Sequence, residues 1–133
     1  MRRVARSLGQ ALVETALVMP LLVSLSLGVI QLVLYAHAQS VLLSAVQEGA
    51  RLAAEEGRSL DEGAGRVSTL VAAGLGASVE PMRLTVSADS AVVTLEAETR
   101  LRLILPLPFV QDLPLHAVGH VARERFRPGG TDR

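Results

Sequence analysis

Thirteen Arg balance 13 Asp and Glu in this chain of 133 residues, which has no Lys and no net charge, so it offers no basic face for nucleic acid. It has no cysteine, which excludes disulfides and thiolate metal sites, and aromatics at 2% are too few for a stacking site. Hydrophobic residues make up 50%, about a third of them in one run near the N-terminus, leaving about 95 residues for a small domain that is marginal on its own.

The N-terminus reads as a basic head followed by a membrane segment. Arg2, Arg3 and Arg6 come first, then Gly9, then the single carboxylate Glu14. From Thr15 to Ala36 there is no formal charge, and about 20 such residues span about 30 Å of hydrocarbon. The arginines keep the head cytoplasmic by the positive-inside rule and place the rest outside. A cleaved secretory signal would end at a small-residue site. Here a helical pattern follows instead, which favours a retained anchor. Pro20 removes one backbone hydrogen bond and reads as a kink within the span. Glu14 would cost about 2–3 kcal/mol at the bilayer centre and less near an interface, which makes it a candidate functional group.

Helical spacing continues past the span. Ala38, Leu42, Ala45, Gly49, Leu52 and Ala53 recur every three or four residues, with Ser40, Ser44, Gln47, Arg51 and Glu55 opposite. The pattern predicts one helix of about 45 residues that leaves the membrane as an amphipathic stalk over 37–57, stopping at Gly57. Ser59 and Glu62 form a capping box that opens a second helix. Its apolar face is Val67, Leu70, Val71 and Leu75, and it closes near Ala77.

After Pro81 the period changes to two. Leu84, Val86 and Ala88 form one strand, Asp89-Ser90 a turn, and Ala91, Val93, Leu95 and Ala97 a second strand that is long or bent near Thr99. Glu96, Glu98, Arg100 and Arg102 on its other face read as solvated surface. The stretch from Leu105 to Pro114 carries three prolines and reads as an apolar loop, folded over the core or sticky. Leu115 to Glu124 predicts a third strand, and 127–133 a frayed tail. The fold class is α+β: a long N-terminal transmembrane and stalk helix, a short helix, then an antiparallel sheet of about three strands.

Chemistry is sparse. His116 and His120 have zinc-like spacing on a helix, but on a strand they stand about 13 Å apart, too far to share a metal. With no carboxylate pair in a cleft and no serine with a base partner, neither enzymatic activity, nor a cofactor, nor a metal site is expected.

The stretch from Gly9 through Glu14 and Pro20 to Leu22, with Tyr35-Ala36 and Glu48-Gly49-Ala50-Arg51-Leu52-Ala53, resembles TadE-like proteins, pseudopilins of tight-adherence (Flp-type) pilus systems. The resemblance covers about residues 8–56; the C-terminal half agrees in plan only. It implies a pilin-like fold and a prepilin-type leader, 1–9, cut by a prepilin peptidase after Gly9. Gln10 becomes the new N-terminus and Glu14 the assembly carboxylate, which neutralises the freed amine of a neighbouring subunit. Removing the leader takes Arg2, Arg3 and Arg6 with it and leaves a mildly acidic remainder. The resulting organisation is leader 1–9, transmembrane helix 10–36, stalk 37–57, extracytoplasmic α+β domain 58–126 and tail 127–133. Implied partners are the peptidase, other pilins and pseudopilins, the inner-membrane assembly platform and the lipid bilayer. An uncleaved single-pass anchor for an extracytoplasmic interaction domain stays open as the alternative.

Overall fold

The computed structural model describes the backbone of residues 2–107 and 110–123, with side chains for 10, 12–103 and 112–123. The element order is α1 (Arg2–Ala54), α2 (Leu60–Leu75), a 3-10 turn (Gly76–Ser78), β1 (Arg83–Ala88), β2 (Val92–Leu107) and β3 (Val110–Ala122). The strands form one antiparallel sheet in the order β1-β2-β3, so the α+β class expected from the sequence is what the chain adopts. The structure divides into two compact units, Met1–Leu34 and Tyr35–Arg133.

The first unit is the apolar part of α1. Its large side chains face outward: Leu12 is 71% exposed, Leu17 73% and Leu21 69%. A soluble helix buries such a stripe; this one presents it all round. Among the described residues, α1 alone is long and apolar enough to cross a membrane. The helix continues through Pro20 without interruption, and two turns on the Ser26 hydroxyl donates to the Leu22 carbonyl at 2.8 Å.

The second unit is built around the rest of α1. Ala38, Leu42, Ala45, Val46, Ala50, Ala53 and Ala54 are buried, while Ser40, Ser44, Gln47 and Arg51 are exposed. The predicted amphipathic stripe is therefore real. It is covered by α2 and the sheet, which makes this stretch the spine of the unit. The helix ends at Ala54, and Gly57, with φ +84, turns the chain back. Ser59 then caps α2 in a complete capping box: its hydroxyl accepts from the Glu62 amide at 3.2 Å and the Glu62 carboxylate accepts from the Ser59 amide at 3.4 Å. Val67, Val71 and Leu75 are buried as the apolar spacing requires, and Leu70 is half-buried.

The two helices touch through their backbones. A Cβ at Gly63 would lie 2.6 Å from the Ala53 Cβ and 2.7 Å from the Gly49 carbonyl oxygen. One at Gly49 would lie 2.8 Å from the Gly63 carbonyl oxygen and collide with Val67. Gly65, two positions on and exposed on the outer side of α2, meets nothing within 4 Å.

The sheet lays one face on this helical pair. Val93, Leu95, Ala97, Thr99 and Leu101 alternate inward along β2, with Leu115 and Ala117 from β3 beside them. At Gly119 the approach is tight again, since a Cβ there would lie 3.1 Å from the Val46 carbonyl oxygen. Midway along β2, the Thr99 hydroxyl donates to the Glu80 carbonyl at 2.8 Å and the Glu80 amide to the Arg100 carbonyl at 2.9 Å. These bonds tie the entry to β1 onto β2.

One expectation changes. The proline-rich stretch does not read as a loop in the structure: β2 runs to Leu107 and β3 begins at Val110, registered opposite each other after an irregularity between Arg102 and Leu107. Prolines are tolerated on strand edges because no ladder donor is missed there. β3 is an edge strand, and β1 accompanies β2 only as far as Glu98, so Pro106 and Pro114 both occupy edges. The Pro114 carbonyl accepts from the Tyr35 hydroxyl at 3.4 Å and the His116 carbonyl from the Gln39 side-chain amide at 2.6 Å. Pro108 and Phe109, and the predicted tail 127–133, lie outside the described residues.

Gly63→Ala forces the α1–α2 crossing apart and should cost about 1–3 kcal/mol, whereas Gly65→Ala should stabilise by about 0.5–1 kcal/mol because alanine is the better helix former. Chemical denaturation of the full chain in detergent, followed by circular dichroism, checks both signs. Ser59→Ala removes the cap and should cost about 1 kcal/mol in the same measurement.

Candidate functional site

A helix places residues i, i+3, i+4 and i+7 on one face. Gln10, Val13, Glu14 and Leu17 occupy such a face of α1 and line a shallow concavity. All four are exposed, and Glu14 is the only acidic residue of the first unit. The site is thus one carboxylate on an otherwise apolar helix surface. Chemically it can accept hydrogen bonds and pair with a cation, and those are the interactions a carboxylate in an apolar setting demands. Gln10 stands one turn before Glu14, so a charge created at Gln10 of a second chain could meet this carboxylate if two such faces stagger by about a turn.

The backbone of Gly9 and Gln10 lies inside α1, which begins at Arg2. A protease binds its substrate extended, so a cut there needs local unwinding, and glycine is where a helix gives way most cheaply. The side chains of Arg2, Arg3, Arg6 and Gly9 fall outside the described ones. Pro20 stands further along the same helix and takes no part in the Glu14 face.

The outer face of the sheet carries the remaining polar chemistry. Glu96, Glu98, Arg100 and Arg102 share it, as the alternation predicted, and all but half-buried Glu96 are exposed. Register adds what spacing could not. His116 Nε2 lies 2.8 Å from Glu96 Oε1, and His120 Nδ1 lies 3.0 Å from the Thr94 hydroxyl, so the two histidines take different partners. Glu96, Glu98 and His116 bring donor atoms within 4.8 Å of one another, close enough to share a cation. The group is largely exposed, and its Glu96–His116 contact already satisfies two of its members. Arg100 pairs with Asp112 at 3.8 Å. On the helical side, Arg66 and Glu48 meet at 4.0 Å beside the glycine crossing.

Sequence reasoning missed the glycine crossing and the Glu96–His116 contact. The signals were present in part. Gly49 and Gly63 each lie on a buried helix face, which is where a glycine marks close approach.

No curated protein and no solved structure matches the chain. A family model does: the one described as TadE-like protein matches residues 9–51. That segment starts at the glycine before Gln10, takes in Glu14 and the whole apolar run, and ends at Arg51, just past the glycine that touches α2. Over residues 9–51, about a third of the chain, it is similar to TadE-like proteins.

Proposed function

We propose that the protein is a membrane-anchored minor pseudopilin of a tight-adherence (Flp-type) pilus system. The observation that carries this reading is Glu14 standing exposed among apolar side chains, five residues past Gly9, within the family-matched segment. In this reading Arg2, Arg3 and Arg6 hold the leader in the cytoplasm, and α1 crosses the inner membrane. A prepilin peptidase removes residues 1–9 and frees the Gln10 amine. In the assembly, Glu14 of one subunit pairs with that amine on its neighbour. Each group alone would be an uncompensated charge in a dry place, and breaking such a buried pair by deleting one partner costs about 3–5 kcal/mol. The pair therefore selects one axial register among the many that an apolar helix surface would allow. Unit 2 is carried outside the membrane, and its partners are other pilins and the assembly platform.

Mass spectrometry of the mature N-terminus tests the cleavage. In cells holding an active prepilin peptidase the chain should begin at Gln10; a chain retaining residues 1–9 there would overturn the pseudopilin reading in favour of an uncleaved anchor. Glu14→Gln should leave membrane insertion intact and lower incorporation into assemblies by about a hundred-fold or more, the equivalent of about 3 kcal/mol. Membrane fractionation and immunodetection in sheared pili check the two halves of that expectation, and normal incorporation would show that Glu14 does not set the register.

A further inference from the structure

The outer face of the sheet gathers three ligand-type side chains that have no part in the pseudopilin reading. Glu96 and Glu98 lie two apart on β2, so both project from that face. His116 stands opposite Glu98 in the ladder. The Val92 carbonyl accepts from the Asp89 amide and the Arg100 carbonyl from the Glu80 amide, so the even-numbered positions of β2 turn their backbone bonds toward β1. The His116 carbonyl, on the other strand, accepts from Gln39. Glu98 and His116 are therefore a facing pair without ladder bonds between them, the kind whose side chains stand closest. One ligand atom from each of Glu96, Glu98 and His116 falls within 4.8 Å of the others.

The charges around this group leave it short of a cation. Arg83 faces Glu98 from β1 in register but makes no ion pair with it, and Arg100 pairs with Asp112 at 3.8 Å. His116 Nε2 meets Glu96 Oε1 at 2.8 Å, and Glu98 is the member left over. Among the described residues its carboxylate has neither an ion pair nor a side-chain hydrogen bond. Like charges on one face of a sheet repel, and a single imidazole offsets two carboxylates only in part and only while it is protonated.

We propose that Glu96, Glu98 and His116 bind a divalent transition metal of the zinc class. Two carboxylate oxygens and one imidazole nitrogen make three protein ligands, the number zinc takes when water fills the fourth position. The imidazole selects against calcium and magnesium, which take oxygen ligands. Donors at about 2.0–2.2 Å from a tetrahedral ion stand about 3.4 Å from one another. His116 Nε2 and Glu96 Oε1 must therefore part slightly from 2.8 Å, and side chains that are exposed or half-buried can rotate to do so. The cleft that Glu98 and His116 share with Glu80, Arg83, Arg100 and Pro114 gives the ion its way in. Bound there, the metal joins the side chains of β2 and β3, a staple of the kind small domains use, in a chain without cysteine.

Isothermal titration calorimetry of the full chain in detergent, with zinc chloride as titrant, tests the site. The expected result is saturable binding of one ion per chain at micromolar zinc, with a thermal midpoint raised by several degrees once zinc is well above the Kd. His116→Ala and Glu98→Gln should each weaken binding by about ten-fold or more, while His37→Ala and His120→Ala leave it unchanged. Circular dichroism checks that every variant keeps the native fold. Retained affinity in either the His116→Ala or the Glu98→Gln chain would overturn the proposal, as would binding that needs millimolar zinc. Binding lost in His37→Ala or His120→Ala would place the metal elsewhere and overturn it equally. Calcium bound as tightly as zinc, and independently of His116, would reduce the cluster to exposed acidic surface and also overturn it.

Discussion

The distance between α1 and α2 is set by backbone against backbone, and the second unit depends on that distance. Where Gly49 and Gly63 meet, neither helix carries a side chain that could hold the other away. The close approach lets Ala45, Ala50, Val67 and Val71 form a thin, dense layer on which β2 and β3 lie. A protein without disulfides and with few aromatic residues has little else to draw on: small domains are short of core, and small residues compensate only by packing closely. Arg66–Glu48, exposed at the margin, contributes little beside this.

The two units present opposite kinds of surface. In unit 2 the apolar side chains alternate inward along β2 and the charges alternate outward, the arrangement water imposes. In unit 1 the same kinds of side chain face out on all sides. A single helix satisfies both conditions because its backbone bonds are internal whatever surrounds it. Glu14 is the exception within the first unit, a lone carboxylate near the start of the apolar run. The TadE-like match covers the exception together with the helix that carries it.

Much of this could be read from residues alone, and the reasons are local. Ser59 and Glu62 specify a helix start through bonds within four residues, and Val93, Leu95 and Ala97 specify a buried face through a period of two. Glu14 drew notice because a carboxylate beside an uncharged run is costly wherever the run is placed. What escaped depends on partners distant in sequence. Pro106 and Pro114 argue against a central strand, but whether a strand is central is decided by its neighbours, and β1 stops short of them. Gly63 and Gly65 look alike in the sequence; only the position of α1 makes one indispensable and the other spare. Glu96 finds His116 through the register of β2 on β3, which no spacing within either strand reveals.

The turn at Gly57 has a bearing on how the chain assembles. It returns α2 onto α1 so soon that Gly63 meets Ala53 across a loop of about ten residues, a closure that costs little chain entropy. β3 must instead find α1 across more than half the sequence. Chain entropy therefore favours closure of the helical pair ahead of the sheet, which needs the longer-range contacts. A chain emerging in order from the ribosome would have this platform complete by Leu75, with the slower non-local pairing left for last.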